Sequence, residues 1–434
     1  MNLRIEDKMI IKNVRLINPG TGFDYITDIY IKDNLIESVE KDINTDNADE
    51  TIIDGTNLCC APGLVDVHVH FRDPGFTYKE DINTGSKAAA AGGFTTVILM
   101  ANTKPCVDNV ETLNYVIEKG KSTDINVLTV ANVTEGMKGC KITDFESLVK
   151  AGASGVSDDG VPIMDADLLK DAFLQAKKLN IPVSLHEENK EFIINNGINA
   201  GKVSDVLDIG GSKREAEISM IERDIEIAKE TGADVNIQHI STKEGVELIR
   251  EARKTHKNIH AEASPHHFTL TEDAVLWHLA LAKMNPPLRL ESDRKAIIEG
   301  LKDGTIEIIA TDHAPHSKDE KAQEITKAPS GIIGLETALA LGITELVDKG
   351  YLTINELIER MTKGPARLYH LEDKIADVSV SKRADLVIFD PNESFTIEKF
   401  KSKSQNSPFK GVKLKGKVKY TICNGRIVYQ DGKN

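Results

Sequence analysis

The middle of the chain alternates short apolar runs with longer amphipathic or alanine-rich stretches, and this alternation limits the fold more than any other feature. The apolar runs end, in order, at His70, Asn102, Asn132, Asp159, His186, His239, Ala263 and Asp312. Helical stretches follow these runs, and examples are 80–91, 165–179, 213–231, 243–256, 292–302 and 334–349. Eight strand–helix units over roughly 310 residues predict an α/β fold, a TIM-like (β/α)8 barrel with insertions. A doubly wound open sheet is the alternative, but no G-x-G-x-x-G follows the first strand to support it.

Both ends of the chain have a different pattern, rich in β-branched residues and turn signals. Strands are predicted at 9–16, 28–31 and 35–39, and again at 384–389, 417–423 and 426–429. Asn424-Gly425 is a strong hairpin signal between the last two. Two separate β tails would leave exposed edges, so we expect both ends to meet as one small discontinuous β-sandwich. The predicted division is 1–60 and 373–434 for that β domain and 61–372 for the barrel with its metal site.

Composition excludes several classes of protein. The formal net charge of -14 argues against a nucleic-acid partner, because phosphate binding relies on a basic surface. No apolar run approaches the roughly 18 residues of a membrane span, and residues 1–10 carry charges where a signal peptide would be apolar. The five cysteines are scattered without C-x-x-C spacing. We therefore expect a soluble, cytoplasmic protein with reduced thiols.

The first strand of the predicted barrel carries two closely spaced histidines. In residues 64–72 a period of two puts Asp66, His68, His70 and Arg72 on one face, while the other face is apolar. Two imidazoles one pleat apart at the C-terminal end of a strand can bind one metal ion, and barrel enzymes build their sites at that end. An H-x-H motif alone does not distinguish metal ligands from histidines with a purely structural role.

Other candidate ligands also end predicted strands: His186, His239 and Asp312. Packing preference alone would rarely place ligand-type residues at the ends of several predicted strands. The pattern therefore favours a metal site. The remaining histidines are interpreted differently. His266 and His267 are expected in a loop or as residues that support the metal ligands, and His313 on the opposite side of its strand. The others are expected in structural or surface positions, namely His256, His260, His278 and His370.

Four separate segments resemble the signatures of the dihydroorotases of the bacterial class I type, within the amidohydrolase superfamily. They are 62–75 (PGLVDVHVHFRDPG), 284–289 (MNPPLR), 310–316 (ATDHAPH) and 330–337 (SGIIGLET). The resemblance implies a metal-dependent hydrolase barrel with a binuclear centre. In it, His68 and His70 would bind one divalent metal ion, His186 and His239 the other, and Asp312 would both ligate and shuttle protons.

The ligand that bridges the two metal ions departs from the commonest pattern of that superfamily. Many relatives use a carboxylated lysine at the end of strand four, but residues 155–160 (GVSDDG) contain none. In bacterial dihydroorotases an aspartate takes this place, and the resemblance favours Asp159 over Asp158. Either could instead be a turn residue before Gly160. Imidazole with carboxylate suits zinc, although manganese, iron or cobalt also fit.

The reaction that the resemblance implies is the reversible cyclisation of N-carbamoyl-L-aspartate to L-dihydroorotate, the third step of pyrimidine (UMP) synthesis. A metal-bridged hydroxide would attack the ring amide, with Asp312 as the proton shuttle. The substrate-binding residues would be His70, Arg72, Asn102, Asn285, His316, Ser330 and Gly331. Of these, Arg72, Asn102 and His316 would hold the carboxylate. The other interpretation of Arg72 is a salt bridge to Asp73 or Glu80.

Two alternatives remain beside this activity. A hydantoinase, dihydropyrimidinase or allantoinase shares the metals and fold but has the bridging lysine and lacks the arginine and asparagine clamp. A non-catalytic partner of a transcarbamoylase would be expected to lose metal ligands, and none is missing here. The expected partners are a small-molecule substrate, a second copy in a homodimer and, as a further possibility, aspartate transcarbamoylase.

Overall fold

The computed structural model describes residues 8–44 and 50–433. Most of the charged segment 1–10, and the first and last residues of the predicted β domain, lie outside the described residues. The strands are β1 (Lys8–Asn18), β2 (Phe23–Lys32), β3 (Leu35–Glu40), β4 (Thr51–Asp54), β5 (Cys59–Pro62), β6 (Leu64–Val69), β7 (Phe94–Leu99), β8 (Asn126–Thr129), β9 (Val183–Leu185), β10 (Val235–Ile237), β11 (Ile259–Ala263), β12 (Ile308–Ile309), β13 (Leu386–Phe395), β14 (Leu414–Cys423) and β15 (Arg426–Gln430).

Helices separate the central strands and cover their outer side. They are α1 (Ile82–Ala91), α2 (Val110–Gly120), α3 (Phe145–Ala151), α4 (Ala166–Leu179), α5 (Lys202–Val206), α6 (Glu215–Thr231), α7 (Lys243–Arg253), α8 (Pro265–Thr269), α9 (Ala274–His278), α10 (Glu291–Asp303), α11 (Lys318–Lys321), α12 (Ala338–Gly342), α13 (Ile354–Met361) and α14 (Lys363–Leu368). Among the described residues, no helix is both long and apolar enough to cross a membrane.

The central strands are parallel and follow one another around a closed ring. One sheet has the order β6-β7-β8 and another the order β12-β11-β10-β9. Val156 pairs with Ala131 after β8 and with Val183 of β9, and Val69 of β6 pairs with His313 after β12. These bridges join the two sheets at both edges, as a barrel requires. The predicted α/β class is confirmed, although the fourth strand is reduced to the pairing of Val156.

Several helix boundaries differ from the prediction. The helix predicted at 334–349 begins only at Ala338 and continues from Ile343 to Val347 as a π-helix, which is a wider helical turn. Its predicted first turn does not form, because the Gly334 N–H donates to Nδ1 of His313 at 3.2 Å. The first helix begins at Ile82, since the Asp81 carboxylate caps it by accepting from the Thr84 N–H at 2.9 Å.

Strands from both ends of the chain form one sheet, in the order β15-β14-β13-β5-β1-β2-β3 with β4 paired to β1. A bridge from Leu35 to Arg383 brings β3 back against the segment before β13, so the sheet curls around its own apolar core. That core contains Ile11, Leu16, Ile29, Ile36, Leu386, Ile388 and Ile422. The β14–β15 hairpin turns at Asn424 and Gly425 with φ of 52° and 75°, as the Asn-Gly signal predicts.

Candidate metal centre

Buried imidazoles and carboxylates converge at the C-terminal end of the barrel strands. His68 lies in β6 and His70 directly after it, while the other donors follow the fourth strand position, β9, β10 and β12 and are Asp159, His186, His239 and Asp312. Two groups have their donor atoms within 4.8 Å of one another, namely His68, His70 and Asp159, and Asp159, His186 and His239. Each group can hold a metal ion.

Asp159 is the member common to both groups. Its Oδ1 lies 3.5 Å from Nε2 of His68 and 3.6 Å from Nδ1 of His186, while Oδ2 lies 3.5 Å from Nε2 of His70. Burial disfavours the charged carboxylate, but the surrounding histidines outweigh it and hold the pKa of Asp159 well below its usual range. Its carboxylate therefore faces both groups as an anion.

Asp158, the other candidate for the bridging position, has its carboxylate in a different network. It accepts hydrogen bonds from the backbone N–H of Val133 at 2.9 Å and of Thr134 at 3.1 Å, and from the Asn132 amide at 3.2 Å. Asp158 thus connects the fourth strand position to the loop after β8. Both oxygens of its carboxylate accept hydrogen bonds from that loop.

Asp312 lies against the first pair of histidines. Its Oδ1 is 3.0 Å from Nε2 of His70 and 3.5 Å from Nε2 of His68. Burial works against ionisation, but His68, His70 and His239 hold the pKa of Asp312 far below its ordinary value. The backbone φ is 47° at Asp312 and 35° at His239, a left-handed conformation that costs energy for such residues and that clusters at functional sites.

Side chains behind the imidazoles fix their orientation. Nδ1 of His68 lies 2.5 Å from Oε1 of Glu262, and Nε2 of His186 lies 3.3 Å from Oε2 of Glu188. The pKa of His68 is raised well above 6.5, because Glu262, Asp159 and Asp312 together outweigh the effect of burial. A partner that holds one ring nitrogen turns the other toward the shared space.

Neither Glu262 nor Glu188 was predicted from the sequence. Glu262 stands between two alanines in the fully buried strand β11, and a lone carboxylate in such a strand is a signal of a buried ionic partner. Glu188 is two residues after the predicted ligand His186. Which histidine each glutamate would hold could not be inferred, because Glu262 and His68 are 194 positions apart.

The residues present fit a divalent metal ion. Nε2 of His68 is buried without a hydrogen-bond partner among the described residues, and Nδ1 of His186 faces Nε2 of His239 at 2.9 Å. Nε2 of His186 faces the Glu188 carboxylate, and a proton on this nitrogen would leave Nδ1 with a lone pair for the metal. Buried imidazole lone pairs that converge with carboxylates are the donor set of zinc and similar ions.

Arg72 does not continue the alternation of β6, which ends at Val69, and its φ of 59° turns it away from the strand direction. Its Nε donates to the Pro315 carbonyl at 3.3 Å, and it makes no ion pair with any residue that the structure describes. The alternative of a salt bridge to Asp73 or Glu80 is wrong. Asp73 pairs with Lys119 at 3.0 Å, and Glu80 faces His313 at 3.6 Å.

Asn102 lies between the two candidate metal-binding groups. Its Oδ1 is 3.0 Å from Nδ1 of His70, and its Nδ2 donates to Oδ2 of Asp159 at 3.0 Å. Asn285 contacts the second group through its amide nitrogen, with Nδ2 at 3.1 Å from Nε2 of His186. Both amides therefore contact the predicted metal ligands directly.

The other predicted substrate residues lie on the loop after β12. Nε2 of His316 donates to the Ser330 carbonyl at 2.8 Å. Gly331 has φ of 109°, and a Cβ there would lie 2.6 Å from Cβ of Ala314, so only glycine fits. Of the two positions expected for His266 and His267, the loop is wrong. Both are buried in the short helix α8, where each contacts Oγ of Ser264.

Comparisons with known proteins identify the family of this chain. The model of the amidohydrolase family matches residues 60–428. The chain therefore belongs to the amidohydrolase family. It is similar along almost its whole length to the dihydroorotase of Clostridioides difficile (strain 630), with 56% identity over 97% of this chain and 99% of the relative. The dihydroorotase of Clostridium acetobutylicum is 51% identical over 98% of this chain and 100% of the relative.

Solved structures with the same fold include hydantoinases. The L-hydantoinase (dihydropyrimidinase) from Arthrobacter aurescens superimposes with a TM-score of 0.88 at 25% identity, covering 99% of this chain and 97% of that one. A D-hydantoinase gives a TM-score of 0.86 at 25% identity, covering 98% and 96%. The fold is thus shared with these hydantoinases, while the sequence identity is much higher to the two dihydroorotases.

Proposed function

We propose that this chain is a dihydroorotase, which catalyses the reversible cyclisation of N-carbamoyl-L-aspartate to L-dihydroorotate, the third step of pyrimidine (UMP) synthesis. The observation that carries this proposal is identity at about half of all positions, over nearly full length, to proteins named dihydroorotase. The hydantoinases share the fold at only 25% identity. The absence of a lysine in 155–160 also favours dihydroorotase over hydantoinase.

We infer that the centre holds two divalent metal ions, and that they are zinc. His68 and His70 would hold one ion, His186 and His239 the other, with Asp159 common to both. Asp312 would complete the first site, which its distance of 3.0 Å from Nε2 of His70 supports. When bound, such ions acidify a water molecule and polarise the amide carbonyl that it attacks.

Asp312 is the proposed catalytic residue. Its lowered pKa keeps the carboxylate ionised at neutral pH, so that it can accept a proton from the attacking water. Delivery of that proton to the ring nitrogen lets the nitrogen leave as a neutral group rather than as a poor anionic leaving group. In the direction of ring closure the same carboxylate takes the proton from the ureido nitrogen.

Arg72 is proposed to bind the substrate carboxylate, with Asn102 and His316 beside it. A planar guanidinium can hold a carboxylate by two parallel hydrogen bonds. In this chain only Nε of Arg72 is used, by the Pro315 carbonyl, and no ion pair with any described residue competes for the guanidinium. His70, Asn285, Ser330 and Gly331 are retained as further substrate-binding residues, meeting the ring and its amides.

A substrate comparison tests the activity. Purified protein loaded with Zn²⁺ is assayed by ultraviolet absorbance with dihydroorotate and, in parallel, with hydantoin, dihydrouracil and allantoin. We expect turnover of dihydroorotate far above that of the neutral rings. Turnover of hydantoin without dihydroorotate would overturn the proposal. Metal analysis of protein purified without added metal tests the inferred two zinc ions per chain.

Assembly and location complete the proposal. We propose a homodimer, with aspartate transcarbamoylase as a possible further partner, and a cytoplasmic location. Light scattering of the purified chain, alone and mixed with the transcarbamoylase of the same organism, tests both associations. A monomer at micromolar concentration would remove the homodimer.

A further inference from the structure

Two loops at the mouth of the site are tied together by polar side chains. One follows β6 and carries Tyr78 and Lys79, and the other follows β12 and carries His316 and Glu320. Nζ of Lys79 lies 2.9 Å from Oε1 of Glu320 and 3.4 Å from Nδ1 of His316, and the Tyr78 hydroxyl donates to Glu320 at 3.0 Å. The Lys79 side chain is only 13% exposed, so this ammonium is held in one place.

These contacts fix which ring nitrogen of His316 carries the proton. Nε2 lies 2.8 Å from the Ser330 carbonyl, which can only accept, so Nε2 carries hydrogen. The ammonium of Lys79 can only donate, so Nδ1 presents its lone pair. Oε2 of Glu320 is farther from Nδ1, at 3.9 Å. Burial, with the charges of Arg72, Lys79 and Lys321, lowers the pKa of His316 to about 2, which keeps the ring neutral.

The single ring N–H of His316 therefore donates its hydrogen bond to the Ser330 carbonyl. In this structure the N–H of the ring points at the Ser330 carbonyl, and this contact holds the backbone next to Gly331. The carbonyl of Gly331 accepts from Nζ of Lys321 at 2.9 Å, which anchors the same turn from its other side. His316 thus acts on the shape of the substrate loop.

We propose that Lys79 is a positioning residue for substrate binding, which acts by fixing His316 in its neutral form with the proton on Nε2. Glu320 and Tyr78 hold Lys79, Lys79 orients His316, and His316 holds the Ser330 carbonyl. This inference deepens the proposed function and rests on it for the identity of the substrate. It predicts an effect on substrate affinity and little effect on the chemical step.

The kinetic test compares three lysine variants. Lys79→Met keeps the length of the side chain and removes the donor. We expect it to raise KM for dihydroorotate about tenfold, the order set by loss of a hydrogen bond to a charged group, with kcat changed less than about threefold. Lys79→Arg restores most of the affinity. Lys403→Met is the matched control, because Lys403 binds the Thr77 carbonyl of the same loop at 2.7 Å without reaching His316.

A second measurement does not depend on activity. Nitrogen NMR of protein with ¹⁵N-labelled histidine reports which ring nitrogen is protonated, and His316→Gln identifies the His316 signals. We expect a protonated Nε2 and an unprotonated Nδ1 in the wild type. In Lys79→Met the Ser330 carbonyl still favours a proton on Nε2, but we expect a measurable share of the form protonated on Nδ1, because the donor facing Nδ1 is gone.

Three results separate the possible failures. An unchanged His316 signal and unchanged KM in Lys79→Met overturn the inference, as does an equal rise of KM in Lys403→Met. A wild type that does not act on dihydroorotate overturns the proposed function instead, while the NMR result on His316 still stands.

Discussion

Oε1 of Glu262 lies 2.5 Å from Nδ1 of His68, on the side of the imidazole opposite to the nitrogen that faces Asp159 and Asp312. The other carboxylate oxygen of Glu262 accepts from the Asn236 amide at 3.1 Å, so the glutamate is itself fixed. The buried carboxylate aims Nε2 of His68 and increases its basicity, which strengthens its bond to a metal ion.

Removal of the Glu262 carboxylate should weaken metal binding. Glu262→Ala is expected to lower metal affinity about 10 to 100-fold, the usual effect of losing a partner that orients a histidine ligand. Chelator competition followed by metal analysis measures this. Glu299→Gln, an exposed glutamate on α10, is the control and should retain wild-type affinity. Equal metal retention by all three proteins would contradict the orienting role of Glu262.

The neighbouring aspartates Asp158 and Asp159 should behave differently. Asp159→Asn is expected to lose at least one of two bound metal ions and nearly all activity, since both donor groups share this carboxylate. Asp158→Asn should keep its metal and instead lower the free energy of unfolding by about 1–3 kcal/mol, because buried N–H groups of Val133 and Thr134 lose an acceptor. Metal analysis and urea denaturation of both variants distinguish the roles. Two metal ions per chain in Asp159→Asn would remove it as the bridge.

Arg72 should determine selectivity for an acidic ring. Arg72→Gln is expected to raise KM for dihydroorotate about 10 to 100-fold, as loss of a charged hydrogen bond worth ~1.5–3 kcal/mol implies. Arg72→Lys should recover only part of this, because an ammonium cannot form the two parallel bonds. Steady-state kinetics with dihydroorotate and with neutral dihydrouracil measure the change. A similar loss for both rings would mean that Arg72 acts on the site in general.

Acid stability should depend on Glu307, which is buried between Arg253 and His260. Despite burial, these two cations lower the pKa of Glu307 from 4.5 to about 2. A carboxylate with a lowered pKa stabilises the fold fully above its ordinary value and loses that effect as pH falls through the folded value. Glu307→Gln should therefore cost about 3 kcal/mol near pH 6.

Urea denaturation across pH tests the sign of that effect. The difference in the free energy of unfolding between wild type and Glu307→Gln should shrink as pH falls from about 4.5 toward about 2. Glu359→Gln, which removes a partly exposed ion pair with Arg360, is the control and should cost under about 1 kcal/mol at any pH. A difference that grows in acid would contradict the assignment.

The sequence predicted the fold class because apolar runs and helical periods recur eight times along the chain. It placed the strand ends too late. β10 ends at Ile237 and β12 at Ile309, two and three residues before the candidate ligands. The positive φ angles of His239 and Asp312 interrupt the regular strand conformation at these positions. Such angles depend on tertiary contacts and leave no mark in local residue preference.

The candidate donors could be named from the sequence, whereas their supporting contacts could not. His68, His186 and Asp159 each follow a recognisable apolar run, and the structure brings their donor atoms together. The pairing of Lys79 with His316 joins loops 237 positions apart, and nothing local to either residue indicates it. Contacts of this kind form only when the barrel closes and brings distant loops together. The sequence predicts that a barrel forms, but not which side chains of its loops then meet.

The shared terminal sheet determines the order in which this protein can be completed during synthesis. β5 leaves the ribosome early, yet its partner β13 and the strands β14 and β15 beyond it are made last. Until then the edge of β5 and the apolar residues around Cys60 and Ile11 have no cover. A nascent or prematurely terminated chain therefore exposes a strand edge with unpaired backbone groups beside apolar side chains. Chaperones bind surfaces of this kind, and aggregates form from them.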